Sequence, residues 1–359
     1  MSARLRRWQT GFLLAGLTVI VAAAFLVPLP YFVEAPGRLL TLGGCVDVRA
    51  EDAVPVRGDY LLTSVSLRRA TPSDLVRVAI DDAARLRSDE RVVRRDVRDA
   101  AHFEAQRRVF SRSAQSAAAL GLQAAGFGAD PDRLIGDGAV VTGVLDGSPA
   151  AGVLQRGDVI TALDGMPIMS DAELRAYLDD TEPIAVRYVR DGRQQEAEIQ
   201  PVELVVGGDE RVVFGLQLET LNSRVDLPVP VDVTSGRIGG PSAGLMIALA
   251  VYDQSDPVVD LAAGRRIAGT GTLTSQGAVG RVGGVDLKAL AAYHRGADVF
   301  LVPESQAEEV AQRLGPVRGF SIIPVNTFDG AVQALRESAD PDGPQGPLSP
   351  VECPYRPTT

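Results

Sequence analysis

The chain begins with a long apolar run, ahead of any alternating pattern. Positions 11–33, GFLLAGLTVIVAAAFLVPLPYFV, contain no charged residue. At about 1.5 Å per helical residue, such a run can cross the roughly 30 Å hydrocarbon core of a bilayer. Arg4, Arg6 and Arg7 precede it, which by the positive-inside rule keeps the N-terminus in the cytoplasm. We predict a cytoplasmic stub and single-pass membrane anchor over residues 1–33, with everything after it extracytoplasmic.

A cleaved signal peptide is the alternative interpretation of this segment. Ala22, Ala23 and Ala24 offer a small-residue cleavage site. The apolar run continues through residues 25–27, however, and is longer than a usual signal-peptide core. The length therefore favours an anchor that stays attached.

Two further patterns follow the apolar run. Residues 34–70 contain short apolar stretches and the alternating sequence YLLTSVSL, which predict strands. Residues 72 to about 120 place apolar residues at helical spacing among many Ala, Arg, Asp and Glu, with Thr71 and Ser73 as candidate caps. The interspersed charges favour a solvated helical face over a binding patch. We predict an extracytoplasmic strand and helical region over residues 34–120.

Residues 139–205 return to strands separated by turns, within a domain predicted over residues 121–205. After an apolar strand come a Ser148-Pro149 turn with a short helix, the pair Gly157-Asp158, a strand, a turn at Asp164-Gly165, a helix from near Ser170 and the strand IAVRYVRDG. As a block, these motifs resemble a PDZ domain of the bacterial protease-associated type. The resemblance implies that an extended peptide binds by strand addition. Two segments are candidates for its carboxylate-binding loop: Gly126-Phe127-Gly128 and Leu134-Ile135-Gly136.

Composition excludes several classes of function. The net charge of −10 leaves no basic body suited to nucleic acid. Cys45 and Cys353, the only cysteines, are too few for a disulfide scaffold or a four-cysteine zinc site; whether they pair stays open. His102 and His294 lack metal-binding spacing, and the chain has no P-loop. We predict no metal or cofactor and no nucleic-acid partner.

Residues 206–337 form the last predicted domain, of strands and helices, before a proline-rich tail over 338–359. Within this domain, GGPSAG makes a tight turn before an apolar run that predicts a buried helix. Ser242 would then lie near a helix N-terminus, where serine is a favoured cap. The alternative is a nucleophile whose neighbouring backbone N–H groups, around Gly240 and Ala243, form an oxyanion hole.

A second segment, TGTLTSQGAVGRVGGVDLK, predicts strand, turn, strand, a Gly-Gly turn and a helix with Lys288 in its first turn. The chain has 35 arginines and this one lysine. Arginine is effectively always protonated, whereas burial and the positive end of a helix dipole lower the pKa of a lysine. Asp286, the candidate cap, would oppose that shift if it lay close. A neutral Lys288 can take a proton from a serine.

Together, GGPSAGL and TGTL…VGRVGGVDLKALAA resemble the proteolytic domain of Lon-type serine proteases. With the anchor and the PDZ motifs, most of the chain resembles the membrane-anchored PDZ–Lon proteases of Gram-positive bacteria. The resemblance implies that Ser242 is the nucleophile, Lys288 the general base and Thr270 the residue that supports the lysine. It also implies an α+β fold with a Lon-type α/β domain, polypeptide substrates and a homo-oligomer.

The match to the family pattern is incomplete at two positions, and a third position is a candidate match. Asp286 replaces the first lysine of the family's Gly-Gly-x-Lys-x-Lys stretch. Gly239 replaces the acidic residue that precedes the serine by three positions in ATP-dependent Lon. Glu219 is a candidate for an acidic residue near the site. Because this chain lacks the ATPase module, we expect proteolysis of unfolded or flexible proteins without ATP.

Two rival interpretations remain from the sequence. The spacing Gly240-x-Ser242-x-Gly244 also matches the nucleophile elbow of α/β-hydrolases. That elbow needs a strand running directly into the serine and a suitable histidine downstream, and His294 is predicted midway along a helix. The other rival is a non-catalytic PDZ adaptor on a degenerate Lon scaffold. A scaffold has no chemical reason to keep both Ser242 and the only lysine, whereas a serine–lysine dyad needs both.

Overall fold

The computed structural model describes residues 16, 18, 21–80, 83–88, 99–206, 209–234 and 239–339. Its helices are α1 Pro72–Ile80, α2 Asp99–Ala124, α3 Asp171–Tyr177, α4 Gly244–Ser255, α5 Val285–His294, α6 Ala307–Leu314 and α7 Phe328–Glu337, with a 3-10 turn at Glu304–Gln306. The two helices predicted between residues 72 and 120 are confirmed as α1 and α2.

Twenty strands lie in the described part of the chain. They are β1 Phe32–Thr41, β2 Val46–Val48, β3 Asp59–Arg69, β4 Arg85–Arg87, β5 Leu134–Ile135, β6 Ala139–Val144, β7 Val159–Leu163, β8 Met166–Pro167, β9 Ile184–Arg190, β10 Arg193–Ile199, β11 Val202–Val206, β12 Asp209–Val213, β13 Leu216–Thr220, β14 Arg224–Val225, β15 Val231–Val233, β16 Arg266–Gly269, β17 Thr272–Leu273, β18 Val279–Gly280, β19 Val299–Pro303 and β20 Ser321–Val325.

The predicted anchor falls mostly on residues outside this description. Residues 21–26 are helical, but among the described residues no helix combines the length and apolar character needed to cross a bilayer. The predicted segment also extends too far at its C-terminal end. Phe32 and Val33 open β1, where they pair with the end of β3, and both are buried.

The chain divides into two compact units, residues 1–129 with 227–359, and residues 130–226. The first unit is built on a six-stranded sheet in the order β20-β19-β16-β3-β1-β4. β16 runs parallel to both β3 and β19, whereas β1 is antiparallel to β3. The predicted region 34–120 and the predicted domain 206–337 therefore contribute strands to one sheet.

Two helices of the first unit carry the segments singled out in the sequence. α4 is buried at every position, as its apolar composition requires. It packs closely against α2: a Cβ on Gly121 would lie 2.6 Å from the Ala248 carbonyl oxygen, so only glycine fits there. α5 packs on the sheet through Val285, Ala289 and Ala292, in one cluster with Phe300 of β19.

The second unit is a sheet in the order β10-β9-β7-β6-β13, with β8 beside β7. Hydrogen bonds cap the start of its helix α3: the Ser170 hydroxyl accepts from Glu173 N–H at 3.1 Å, and Glu173 Oε2 accepts from Met169 N–H at 2.7 Å. The predicted turn at Asp164-Gly165 is confirmed, and both residues have positive φ. The short helix predicted after Ser148-Pro149 is wrong.

Turns replace that short helix. Ala151 N–H donates to Ser148 O at 2.9 Å, and Leu154 N–H donates to Ala150 O at 3.0 Å. Gly152 between them has a φ of 81°, which interrupts helical geometry. The Gly157-Asp158 pair has a structural role beside these turns, since the buried Asp158 carboxylate binds the guanidinium of Arg190.

Candidate active site

Ser242 lies in the turn that leads into α4. Gly240 adopts a φ of 87° in this turn, and its N–H donates to the Gln106 carbonyl of α2 at 3.1 Å. The N-cap of α4 is Ala243, and no side chain caps the helix. The helix-cap interpretation of Ser242 is therefore wrong, and its hydroxyl is available for another contact.

Lys288 lies in the first turn of α5, as predicted. The helix is opened by Gly284, whose left-handed conformation (φ 61°) and close approach to Val65 both require glycine. Lys288 N–H makes an early helical hydrogen bond to the Gly284 carbonyl at 3.0 Å. This anchoring directs the Lys288 side chain into the protein, where the residue is only 5% exposed.

The structure brings Ser242, Lys288 and Thr270 together. Lys288 Nζ lies 3.0 Å from Ser242 Oγ and 3.0 Å from Thr270 Oγ1. The Thr270 hydroxyl in turn donates to the Ser242 carbonyl at 3.1 Å, and Gly271 N–H donates to that same carbonyl at 3.0 Å. Thr270 thus fixes both the amine and the backbone of the serine.

Burial lowers the pKa of Lys288 to about 8. The expected opposition from Asp286 does not arise. Asp286 is not the helix cap, and its carboxylate pairs with Arg85 Nη1 at 2.9 Å. Arg85, which lies in β4, also binds Glu34. Its positive charge therefore offsets the negative charge near the start of α5. A substantial neutral fraction of Lys288 is therefore present near pH 8.

The backbone around Ser242 offers two amide donors. Gly240, an expected contributor to the oxyanion hole, already donates its N–H to α2 and serves the turn instead. The N–H groups of Ser242 and Ala243 have no hydrogen-bond acceptor within the described part of the chain. Both lie next to the Ser242 hydroxyl and at the N-terminal end of α4, where the helix dipole favours negative charge.

The strand before the serine turn has an open edge. β15 is antiparallel to β2, and Thr234 N–H donates to Cys45 O at 2.8 Å. Because hydrogen-bonded pairs alternate along such a ladder, Val231 and Val233 direct their N–H and C=O groups away from β2. No described residue hydrogen-bonds to those groups.

A groove of about 500 Å³ runs between β15 and α2. Its α2 wall includes Phe110 and Ala114, which are buried. The same helix reaches the serine turn, since Ser113 Oγ donates to the Pro241 carbonyl at 3.3 Å. The groove therefore lies beside the segment that carries Ser242.

Two other candidate residues lie outside this arrangement. Glu219 is in β13 of the second unit, paired with Val140, so the structure does not group it with the Ser242 site. His294 is the exposed last residue of α5 rather than a mid-helix residue. Within the described residues, no cluster of His, Cys, Asp or Glu is arranged to hold a metal ion.

The second unit has its own groove, of about 530 Å³, between β13 and α3. β13 ends the sheet, so its outer edge faces this groove. Apolar side chains line it: Leu145, Leu174, Leu178, Leu204, Phe214 and Leu216. Phe214 is buried and is followed by Gly215 with a φ of 78°. This turn into an edge strand could have been found from the sequence FGLQL.

Neither loop candidate from the sequence lies at this groove. Phe127 follows α2 in the first unit, where its N–H donates to Leu122 O at 3.0 Å. Leu134–Ile135 forms β5, which pairs with β14. The segment around Phe214 and Gly215, in contrast, lines the groove.

Protein-family models match parts of both units. The family model of the PDZ domain matches residues 140–190, and that of the Lon protease (S16) C-terminal proteolytic domain matches residues 215–336. The chain contains a PDZ domain and a Lon-type proteolytic domain. A Lon-type S16 domain implies serine peptidase chemistry.

Individual relatives cover only parts of the chain. The Lon protease of Azospirillum brasilense is 32% identical over 130 residues, which is 36% of this chain and 16% of that protein. The Lon protease of Endomicrobium trichonymphae is 31% identical over 122 residues, 33% of this chain and 15% of that protein. The chain thus spans about one sixth of the length of these Lon proteases.

Among solved structures, the PDZ domain of the SdrC-like protein of Listeria monocytogenes is 28% identical and covers 23% of this chain and 87% of its own. The corresponding domain from Listeria innocua is 27% identical and covers 23% and 93%. The TM-score is 0.21 for each.

Proposed function

We propose that this protein is an ATP-independent serine endopeptidase that uses Ser242 as nucleophile and Lys288 as general base. The observation that carries the proposal is the 3.0 Å contact between Lys288 Nζ and Ser242 Oγ, made by a buried lysine whose pKa is lowered to about 8. A general base works best when its pKa is near the working pH. Thr270 is the positioning residue for that amine.

The reaction follows from these contacts. Neutral Lys288 takes the hydroxyl proton as Ser242 Oγ bonds to the peptide carbonyl carbon, and the N–H groups of Ser242 and Ala243 stabilise the oxyanion. The ammonium then gives its proton to the departing amine, and an acyl-enzyme remains. Water attacks the ester and gives a proton to Lys288, which passes it to Ser242 Oγ as the ester C–O bond breaks, so that the carboxylic acid product leaves and both residues return to their starting state.

The substrate main chain is proposed to add to the open edge of β15. Val231 and Val233 offer unpaired N–H and C=O groups there, and an extended peptide can bind such an edge as a strand. This placement selects unfolded or flexible polypeptides, because a folded segment has no free backbone groups to pair. A peptide N-methylated at every second residue should lose cleavage if the edge is used.

The PDZ domain is proposed to hold a second part of the substrate in the groove between β13 and α3. Its apolar lining suits a chain end with apolar side chains, and β13 supplies the strand edge that PDZ recognition uses. Assembly into a homo-oligomer, implied by the family resemblance, belongs to the same proposal.

The proposed location is the outer face of the cell membrane, with the apolar segment that precedes β1 as anchor. The apolar run over 11–33 supports the anchor. Cys45 is buried and disulfide-bonded, and disulfides persist mainly in oxidising compartments. Cys353, the other cysteine, lies outside the described residues. A fusion after residue 359 of a reporter active only in the cytoplasm should stay inactive; activity would contradict this topology.

The enzymatic proposal is tested by degradation of an unfolded protein by the full-length chain. Ser242→Ala and Lys288→Arg should each abolish it, while Ser321→Ala, the same change at an exposed strand position, should not. Loss of cleavage in both site variants, with retained peptide binding, separates the enzyme from a non-catalytic adaptor. Full activity of Lys288→Arg would overturn the role of Lys288.

A further inference from the structure

Helix α1 turns an apolar surface outward. Leu75, Val76 and Ile80 are 42%, 64% and 82% exposed. At about 100° of rotation per residue, the three positions lie within about 140° of the helix circumference and form one broad face. A helix packed on a globular core normally presents such a face inward.

The inner face of α1 is fixed by other residues. Asp74 is 4% exposed, and its carboxylate accepts from Arg68 Nη1 at 2.7 Å and from Thr71 N–H at 2.9 Å. Val78 packs against the small cluster that contains Val33 and Ala84. Rotating the helix to bury Ile80 would break these contacts. The face with Leu75, Val76 and Ile80 therefore stays exposed.

The position of α1 in the fold indicates what covers this face. Ala70 lies two residues before the helix. Its carbonyl accepts a hydrogen bond from Leu29 N–H at 2.8 Å, and its own N–H donates to Tyr31 O at 2.8 Å. Leu29 also packs against the cluster that holds Val78. Helix α1 is therefore adjacent to the point where the charge-free run 11–33 joins the first unit. Within that run, Phe25 and Leu26 are 64% and 77% exposed.

We propose that α1 lies in the membrane interface beside the anchor and inserts Leu75, Val76 and Ile80 among the lipid headgroups and upper acyl chains. The inference rests on the proposed membrane location. A short apolar helix face binds lipid weakly alone, but a chain already tethered beside it supplies a high effective concentration. The second contact fixes the orientation of the first unit, and hence of the Ser242 site, relative to the bilayer.

The experiment places a fluorophore on α1 of the full-length chain in phosphatidylcholine vesicles. Ile80→Cys is labelled with an environment-sensitive nitrobenzoxadiazole dye, and Val258→Cys, at a valine that is 90% exposed, is the matched control. The parent chain treated with the same dye gives the background. Lipids with a nitroxide near the headgroup serve as quencher, and vesicle flotation reports membrane attachment separately.

We expect the chain to float with vesicles, and the nitroxide lipid to weaken the emission at residue 80 at least about twofold while leaving residue 258 unaffected. Flotation without quenching at residue 80 overturns the α1 proposal and leaves the membrane location intact. A blue-shifted but unquenched dye at residue 80 also overturns it, because the face is then covered by protein, such as a second copy of this chain. Failure to float contradicts the membrane location itself.

Discussion

Lys288 Nζ lies 3.0 Å from Ser242 Oγ although the two residues are 46 positions apart in the chain. Two unrelated turns create the contact, one before α4 and one before α5. The turn before α4 holds Ser242, whose side chain caps no helix, and the turn before α5 directs the buried Lys288 amine towards it. Because burial alone is the cause of the lowered pKa of Lys288, the site needs no neighbouring cation to generate a base.

The free energy of unfolding should depend on pH because Lys288 is buried. Lys288→Met keeps the side-chain length and removes the charge. Below pH 8, the free energy of unfolding should therefore be higher for the variant than for the parent. The advantage should shrink as pH rises from about 8 towards 10.5, because folding then no longer buries an ammonium. The pKa difference corresponds to about 3 kcal/mol. Chemical denaturation of both proteins across this range measures it; a constant gap would contradict the lowered pKa.

Thr270→Val should separate positioning from binding. The change keeps the shape of the side chain but removes the hydroxyl that accepts from Lys288 Nζ and donates to the Ser242 carbonyl. We expect kcat to fall about 10- to 100-fold with KM little changed. The acidic midpoint of the pH–rate profile should also move down, since the ammonium loses an acceptor. A rise in KM alone would show that Thr270 acts on substrate binding.

Arg85 lies outside the Ser242 site and should stabilise helix α5. It pairs with Asp286 in the first turn of α5 and with Glu34 of β1, and both carboxylates are buried. Arg85→Ala leaves them without this partner and should lower the free energy of unfolding by about 1–3 kcal/mol. Adding Asp286→Asn to Arg85→Ala should recover part of the loss. Equal stability of all variants would exclude the pairing from a structural role.

The PDZ groove should respond to a charge placed on its rim. Leu145 is 57% exposed and lines the groove, so Leu145→Asp should weaken binding of an apolar C-terminal peptide at least about tenfold. Met166→Asp is the control, because Met166 is 60% exposed in the same domain and does not line the groove. Fluorescence anisotropy with the Ser242→Ala protein measures binding without cleavage. Equal weakening by both variants would place the peptide elsewhere.

Local sequence signals predicted much of this fold and site. Glycine turns and helical spacing located α3, α4 and α5, and the single lysine led to the Ser242 contact. Contacts between segments far apart in the chain could not be predicted in the same way. Nothing in residues 34–70 indicated that β3 pairs in parallel with β16, more than 190 positions later. The pairing of Asp286 with Arg85 was missed for the same reason, since it joins two segments that only the sheet brings together.

The pH dependence of Ser242 acylation by an activated ester, measured in a single turnover, tests directly whether Lys288 is the general base. The rate for the parent chain should rise with pH through a midpoint near 8, as Lys288 loses its proton, and then level off. Lys288→Arg should show no acylation anywhere in this range, because arginine stays protonated. A parent profile without that midpoint, or a Lys288→Arg variant that acylates at the parental rate, would contradict the account.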